Sequence, residues 1–283
     1  MLIQAESLKR IVSAILGKGG ISKIESQVVA DHFVRANLVG HDSHGVGMLP
    51  KYVKMLKEGL LFPNQEPEII KKDGSIIMFD GKRGYGQAVG KIAMKKAIEK
   101  CQENGLALMT IRNSHHLGRI GTYGEQSIEA GIVSIHFVNV TDHSPYVLPY
   151  GGSDGRLATN PICLAMPGTK NTPPVLLDMA TSRIAIGKAR FAMNKKETLE
   201  EGLVVDHKGR PTNNPEVMSG YLYPEKEDNP PLGALTPSGE YKGCGLSLFC
   251  DLFGGLVSGG GTIHAGNKRH GSIINNMLTL LIN

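Results

Sequence analysis

Residues 75–111, SIIMFDGKRGYGQAVGKIAMKKAIEKCQENGLALMTI, decide the class of fold. The apolar run at 75–79 predicts a strand, residues 90–104 predict a helix that ends at Gly105, and residues 106–111 predict a second strand. A strand, a helix and a strand in succession are typical of an α/β domain.

The same alternation extends from this stretch towards the C-terminus. Further strands are predicted at 132–138, 162–166, 175–179 and 273–282, and further helices at 121–130, 183–193 and 241–257. Residues 213–238 contain five prolines and are predicted to form a long irregular loop.

Only helices are predicted for the first part of the chain, at 4–16, from Ser22 to Gly40, and at 49–56. The second of them starts with Ser22-x-x-Glu25, a capping-box pattern.

The composition is that of a folded globular protein without a nucleic-acid or membrane partner. Hydrophobic residues make up 41% of the 283 residues, charged residues make up 20%, and the net charge is +5. The basic residues form isolated pairs, and no apolar run reaches the roughly 20 residues of a membrane span. The N-terminus does not resemble a signal peptide, and the four cysteines form no Cys-x-x-Cys pair. We therefore expect a cytoplasmic protein with free thiols.

The segment from Gly84 to Gly90, GYGQAVG, resembles a dinucleotide-binding loop only at first sight. Its glycine spacing is one residue longer than the usual Gly-x-Gly-x-x-Gly. Residues 80–83 also separate it from the preceding strand, whereas a Rossmann loop follows its strand directly. We interpret the segment as a glycine-rich helix entrance.

Two histidine clusters are the strongest candidates for acid–base chemistry. His41-Asp-Ser-His44 precedes a helix, and Asn113-Ser-His-His116 follows a predicted strand, at the end where α/β proteins bind ligands. Imidazole carries protons near neutral pH, and a hydroxyl such as that of Ser43 can orient the ring. Adjacent histidines point in different directions, so at most one of the second pair is expected to be catalytic. The alternatives are a helix N-cap at Asp42 or Ser43 and surface histidines.

The two histidine pairs also allow a zinc site, which would indicate a metal-dependent hydrolase. No Glu or Cys stands at ligand spacing, and no His-Glu-x-x-His motif occurs. We therefore expect no metal, and we keep the hydrolase as the alternative from a different class.

Three further segments stand at turns or helix entrances, where free backbone N–H groups attract anions. They are Thr159-Asn-Pro161, Asp178 to Ser182, and Lys242-Gly243. Taken alone, each is better explained by helix capping or by an exposed lysine.

Five motifs, taken in order, resemble one known family. They are HDSHG (41–45), NSHHLG (113–118), GGSDGRLATNP (151–161), LLDMATS (176–182) and EYKGCGLSLFCDLFGG (240–255). The chain resembles the second type of malate/L-lactate dehydrogenases, a family that includes ureidoglycolate, sulfolactate, 2,3-diketogulonate and piperideine-2-carboxylate oxidoreductases. The likeness extends over nearly the whole chain.

The resemblance implies an oxidoreductase that uses NAD or NADP to interconvert a small 2-hydroxy acid and its 2-oxo acid, as malate dehydrogenase does. It implies a non-Rossmann α/β/α mixed-sheet fold, like that of sulfolactate dehydrogenase, with a helical domain built from both termini. Residues 1–65 would form the helical domain and residues 66–283 the α/β cofactor-binding domain. Family members are typically homodimers and continue into C-terminal helices, so we expect a C-terminal segment to be absent from this sequence.

The resemblance also assigns roles to residues. His44 with Ser43 beside it, and His116, match the acid–base positions of the family, and Asp178 completes the catalytic set. The positions that match cofactor-lining segments are Thr159, Asn160, Pro161, Asp178, Met179, Ala180, Thr181, Lys242 and Gly243.

One position departs from the family pattern. Met48 stands where the family commonly has an arginine that binds the substrate carboxylate. A thioether cannot make the bidentate contact of a guanidinium. Either Arg119 supplies the charge, or the substrate is different.

Several alternatives stay open at this level. An imine reductase also delivers hydride beside a carboxylate and fits the same motifs, and a non-catalytic binding protein on the same scaffold is a further alternative. The sequence does not choose between His44 and His116 as the proton donor, between NAD and NADP, or among the 2-hydroxy acids.

Overall fold

The computed structural model describes residues 3–264 and 266–283. In this part of the chain the α-helices are α1 (Ala5–Gly17), α2 (Lys23–Leu38), α3 (Leu49–Lys57), α4 (Gly86–Asn104), α5 (Gly121–Glu129), α6 (Ile186–Lys195), α7 (Ser219–Leu222) and α8 (Tyr241–Asp251). The strands are β1 (Glu68–Asp73), β2 (Ile76–Asp80), β3 (Leu106–His115), β4 (Val133–Thr141), β5 (Ile162–Met166), β6 (Val175–Met179), β7 (Val204–Val205), β8 (Pro211–Thr212), β9 (Ala234–Leu235) and β10 (Ile274–Ile282).

Seven strands form one mixed sheet in the order β1-β2-β3-β10-β4-β5-β6. β2 and β3 pair in parallel, and the other neighbouring strands of this sheet pair antiparallel. The last strand, β10, lies in the centre between β3 and β4. A Rossmann sheet is mostly parallel, so the mixed sheet confirms the predicted departure from that fold.

Helices cover both faces of the sheet. Alternate residues of β4 point to opposite faces. Val138 packs in a core with Met94 of α4 and Tyr123 of α5. Phe137 packs edge-on against Phe253, with ring centroids 5.0 Å apart. Phe253 lies in a π-helical turn, Leu252–Val257, that continues α8. The predicted α/β/α layering is therefore confirmed.

The N-terminal helices enclose a second core. Phe33 of α2 and Tyr52 of α3 pack edge to face, with ring centroids 5.0 Å apart. Tyr85 and Ala88, at the start of α4, belong to the same cluster. The N-terminal helices therefore pack against the start of α4, the helix that connects β2 and β3.

The predicted capping box is half present. The Ser22 side chain accepts a hydrogen bond from the Glu25 backbone N–H at 3.2 Å. The Glu25 carboxylate instead accepts from the Asn64 backbone N–H at 2.6 Å. The second half of the box is therefore replaced by a contact with the segment that follows α3.

The glycine-rich segment is a helix entrance, as interpreted. α4 begins at Gly86, four residues before the predicted start. A Cβ at Gly86 would overlap the main-chain oxygens of His115 and His116, and a Cβ at Gly90 would lie 2.6 Å from the Tyr123 ring. These glycines let α4 approach the end of β3 and α5 closely.

Three further features show the largest differences from the prediction. β3 continues to His115, so the second histidine cluster begins inside a strand. β1 was not predicted because all its side chains are exposed and the alternating pattern is missing. Residues 213–238 are not a wholly irregular loop, since they include α7 and β9, which belongs to a small sheet with β7 and β8. None of the described helices combines the length and apolarity needed to cross a membrane.

Candidate active site

Two short 3₁₀ turns, Asp42–His44 and Val46–Met48, present the first histidine cluster between α2 and α3. Asn37, near the end of α2, accepts a hydrogen bond from the Val46 backbone N–H at 2.9 Å. A Cβ at Gly45 would overlap the Asn37 side chain. The glycine therefore lets this loop fold back onto α2, which fixes the position of His44.

The second cluster lies where β3 ends. Asn113 has a positive φ of 52°, and the pairing of β3 with β10 shifts nearby, between Asn275 and Met277. The Asn275 Oδ1 atom accepts a hydrogen bond from the Leu117 backbone N–H at 2.8 Å. The irregular strand end and Asn275 together set the direction in which His116 leaves the sheet.

The fold brings His44 and His116 together. Their rings stack with centroids 5.3 Å apart and planes inclined by 24°. His41 packs edge-on against His44, with centroids 5.0 Å apart. His115 points elsewhere, with its Nε2 atom 3.1 Å from the Met55 sulfur. Only His116 of the adjacent pair therefore faces the other histidines.

Each stacked ring uses its Nδ1 atom inside the protein. The Nδ1 atom of His44 is 2.9 Å from the Ser43 hydroxyl, and that of His116 is 2.7 Å from the Tyr52 hydroxyl. The Gln87 amide donates a hydrogen bond to the same Tyr52 oxygen at 2.7 Å. Within the described part of the chain, neither ring has a hydrogen-bond partner at Nε2.

Burial keeps both imidazoles neutral near neutral pH. It lowers the pKa of His44 to about 3, and the nearby His41 adds to this effect. Burial, followed by the influence of His44, lowers the pKa of His116 well below its ordinary value. Negative charge placed beside these rings would favour their protonated forms again.

Asp178 lies beside the same cluster. Its Oδ2 atom accepts a hydrogen bond from the Gly121 backbone N–H at 2.7 Å and lies 3.8 Å from the His41 Nδ1 atom. Burial raises the pKa of Asp178. Arg119 is buried, with Nε 3.9 Å from Asp178 and Nη1 3.0 Å from Glu125. Two carboxylates therefore already face this guanidinium.

A cavity of about 390 Å³ opens beside the stacked rings. This is a usual size for a site that binds a small organic ligand. The predicted site residues that line it are Ser43, His44, Met48, His116, Arg119, Thr159, Pro161, Asp178 and Ala180.

Two predicted cofactor residues support the cavity wall from behind. Asn160 and Thr181 are fully buried. The Asn160 amide donates to the Ser247 backbone oxygen at 3.1 Å, and the Thr181 hydroxyl donates to the Thr159 backbone oxygen at 3.0 Å. Their hydrogen bonds hold Thr159 and the neighbouring Pro161 in place.

Three other predicted cofactor residues, Met179, Lys242 and Gly243, do not line the cavity. Lys242 is exposed at the start of α8. A Cβ at Gly243 would overlap the Ser238 main-chain oxygen. In this structure Gly243 therefore allows close packing at the helix entrance.

Several polar residues of the cavity were missed at the level of sequence. Tyr52, which holds His116 from behind the cavity wall, was also missed, although its spacing of four residues from Met48 was a usable signal that the two share a face. The missed polar residues of the lining include Lys51, Asp142, His143, Ser144, Tyr146, Arg190, Tyr221, Arg269, Ser272 and Asn275.

Within residues 3–264 and 266–283, no group of three or more His, Cys, Asp and Glu side chains is arranged to hold a metal ion. The four histidines that motivated the hydrolase alternative do not form such a group. That alternative therefore lacks a ligand set in this part of the chain.

The family model of the malate/L-lactate dehydrogenases matches residues 3–283. The chain therefore belongs to the malate/L-lactate dehydrogenase family, a family of oxidoreductases, which confirms the resemblance read from its motifs. It is 42% identical over 281 residues to hydroxycarboxylate dehydrogenase B of Escherichia coli O157:H7, a match that covers 99% of this chain and 75% of that protein.

Solved structures show the same fold. Sulfolactate dehydrogenase from Methanocaldococcus jannaschii superposes with a TM-score of 0.83 at 33% identity, covering 100% of this chain and 78% of the other. Delta1-piperideine-2-carboxylate reductase from Pseudomonas syringae pv. tomato gives a TM-score of 0.85 at 26% identity, covering 100% and 82%. These matches confirm the sulfolactate dehydrogenase-like fold.

Proposed function

We propose that this protein is an NAD- or NADP-dependent oxidoreductase that interconverts a small 2-hydroxy acid and its 2-oxo acid. The observation that carries the proposal is the stacked pair of His44 and His116. Both rings are neutral, both line one cavity, and both have Nε2 without a partner in the described chain. Two such nitrogens can bind the oxygen that alternates between hydroxyl and carbonyl.

The cavity fits the nicotinamide cofactor that a dehydrogenase family implies. Thr159, Pro161 and Ala180 form part of its wall. Arg269 also lines it and has a buried Nη2 atom without a hydrogen-bond partner among the described residues, as expected for a cation that receives an anionic group. Thr159, Pro161 and Ala180 would hold the cofactor, and Arg269 would face one of its phosphates. When bound, the cofactor supplies or accepts the hydride.

We assign proton transfer to His44. Its Nδ1 atom faces the Ser43 hydroxyl, which can either donate or accept a hydrogen bond. Both tautomers and the protonated ring are therefore compatible with the site. In the oxidative direction the neutral ring accepts the substrate hydroxyl proton, and in the reductive direction the protonated ring returns it.

We assign a hydrogen-bonding role to His116. The Tyr52 hydroxyl is closer to the His116 Nδ1 atom, at 2.7 Å, than to the His116 backbone oxygen, at 3.2 Å. If Tyr52 donates to Nδ1, the His116 proton resides on Nε2, from which it can donate to the substrate oxygen. The Gln87 amide holds the Tyr52 oxygen in this arrangement.

Asp178 and Arg119 would position the side chains around His41. The Asp178 Oδ2 atom lies 3.8 Å from the Nδ1 atom of His41, which packs on His44, so the carboxylate would help to orient that ring. Arg119 lies between the carboxylates of Asp178 and Glu125. A substrate carboxylate beside Arg119 would meet these two acidic groups, which weighs against the predicted role of Arg119 as the substrate clamp.

The direct test follows NADH and NADPH absorbance with oxaloacetate, pyruvate, 2-oxoglutarate, phenylpyruvate and piperideine-2-carboxylate. Consumption with a 2-oxo acid supports the proposal and identifies the cofactor. Consumption with piperideine-2-carboxylate alone would favour the imine reductase, the alternative supported by the similarity to a reductase of that imine. No consumption with any compound in either direction would refute both.

We further propose that the protein assembles as a homodimer through the outer face of β5 and β6. Leu164 pairs with Leu177 and Met166 with Val175 across these strands, and the four side chains are between 38% and 67% exposed. A second copy would bury this apolar face. Val175→Glu should convert a dimer into a monomer in light scattering, and a wild-type monomer would contradict the proposal.

A further inference from the structure

Two cationic side chains face the cavity from two different helices. Lys51 lies in the first turn of α3, three residues after Met48, and Arg190 lies one turn after Gly187 on α6. All four residues line the cavity. Residues three apart on a helix share a face, so each helix presents its cation on the side that already faces the site.

Neither Lys51 nor Arg190 has an acidic partner among the described residues, whereas neighbouring cationic side chains do. Lys54, on the same helix as Lys51, pairs with Glu58 at 4.0 Å, and Arg119 pairs with Glu125 at 3.0 Å. The surrounding protein, together with the Arg190 charge, lowers the pKa of Lys51 to about 8. Two like charges that converge without a counter-ion create a place where an anion binds favourably.

The two cations are also close to the stacked histidines. A Cβ at Gly187 would lie 3.1 Å from the Cβ atom of Ser43, the residue that bonds His44. The charge of Lys51 contributes to the lowered pKa of His116. An anion held by α3 and α6 would therefore lie beside the carbonyl or hydroxyl group that His44 and His116 contact. In a 2-oxo acid, the carboxylate is next to the carbonyl group in the same way.

We propose that Lys51 and Arg190 together bind the substrate carboxylate, from opposite helices of the cavity. The inference rests on the proposed oxidoreductase function and assigns the recognition that Met48 cannot provide. Lys51 acts as a point charge and Arg190 offers a planar fork of donors. The carboxylate is thus held by two elements rather than by one bidentate arginine at residue 48.

The experiment compares charge-removing variants with matched controls in the full chain. Lys51→Met and Arg190→Met remove the two cations, while Lys57→Met and Lys188→Met remove exposed lysines of the same helices that do not line the cavity. The binding of oxamate, a 2-oxo acid analogue, is measured by calorimetry in the presence of NADH or NADPH, whichever the wild-type protein uses. Affinity should fall roughly tenfold or more in each cavity variant, as for loss of one charged hydrogen bond, and stay unchanged in the controls.

Steady-state kinetics gives a second readout. With the preferred 2-oxo acid, Lys51→Met should raise KM far more than it lowers kcat, and Lys51→Arg should restore part of the loss. The KM for the corresponding uncharged 2-oxo amide should not change. Circular dichroism and thermal melting identify any variant that fails to fold, and the Arg190→Gln variant then replaces Arg190→Met.

The outcomes separate the two levels of the proposal. Wild-type protein that turns over no 2-oxo acid refutes the proposed function. Wild-type turnover with unchanged oxamate affinity and KM in both cavity variants refutes the carboxylate site. A rise in KM for NADPH, with no change for NADH or the 2-oxo acid, would assign the cations to a cofactor phosphate and also overturn the inference.

Discussion

Two histidine sites in this protein differ in how many ring nitrogens have hydrogen-bond partners, and this difference distinguishes a structural site from a reactive one. His136, in the middle of β4, uses both ring nitrogens: Nε2 is 2.8 Å from the Ser134 hydroxyl and Nδ1 is 2.9 Å from the Thr279 hydroxyl. His44 and His116 each use only Nδ1, and their Nε2 atoms have no partner in the described chain.

The lowered pKa does not distinguish these sites. Burial lowers the pKa of His136 to about 3, the same value that it gives His44. A perturbed pKa therefore reports burial in both places. The unused Nε2 atom on a ring that lines a cavity is the feature that indicates reactivity, because that nitrogen remains free to bind a ligand.

The largest effect should come from His44. His44→Ala removes the group that transfers the proton and should lower kcat roughly 10²–10⁴-fold, as measured by NADH or NADPH consumption. Added imidazole should restore part of the activity in His44→Ala. In His116→Ala it should restore less, because that ring is assigned to hydrogen bonding. Near-wild-type kcat in both variants would contradict the assignment of catalysis to this pair.

His136→Ala should produce the opposite pattern. It deprives the Ser134 and Thr279 hydroxyls of a buried partner and should lower the free energy of unfolding by about 2–3 kcal/mol. The kcat of the folded variant should equal that of the wild type. Urea unfolding and kinetics on the same preparation test both parts, and a large loss of kcat without loss of stability would break the comparison.

Tyr52→Phe tests how the packed core supports the reactive histidines. Tyr52 belongs to the N-terminal core, and its hydroxyl also holds His116. Loss of one hydrogen bond worth about 1.4 kcal/mol in the transition state corresponds to roughly tenfold in kcat/KM. The pH profile of kcat should keep its shape, because the proton-transferring ring remains. A kcat/KM equal to that of the wild type would show that Tyr52 does not position His116.

The smallest effect concerns stability at acid pH. An unfolded histidine has a pKa of about 6.5, whereas that of folded His136 is about 3. Between these values the unfolded chain binds a proton that the native state does not. The free energy of unfolding should therefore fall as the pH falls from about 6.5, by about 1.4 kcal/mol per pH unit for each such histidine.

His136→Gln removes one of these titrating groups. The decrease in unfolding free energy on acidification should become shallower by about that amount, as measured by urea unfolding at several pH values between about 6 and 4.5. An unchanged slope would mean that His136 takes up its proton in the native state as well, and that its two hydrogen bonds do not keep it neutral.

Much of the architecture was predictable because its signals are local. The alternation of strands and helices, the Ser22 cap and the glycine-rich entrance of α4 depend on neighbouring residues, and the structure confirms them. β1 escaped prediction because its exposed side chains carry no periodic signal. The true length of β3 escaped because Asn113 and Ser114, near the end of the strand, are residue types that favour loops.

The sequence by itself determined the family, the α/β class and the two histidine motifs, since these depend on residue identity and short spacing. Only the tertiary structure decided which atoms meet. The insertion of β10 between β3 and β4 supplies Asn275, which directs the chain at His116. The packing of α6 against the Ser43 loop brings Arg190 to the cavity that Lys51 faces. Contacts between distant segments are set by the order of strands and by close packing of side chains, and neither is encoded in local spacing.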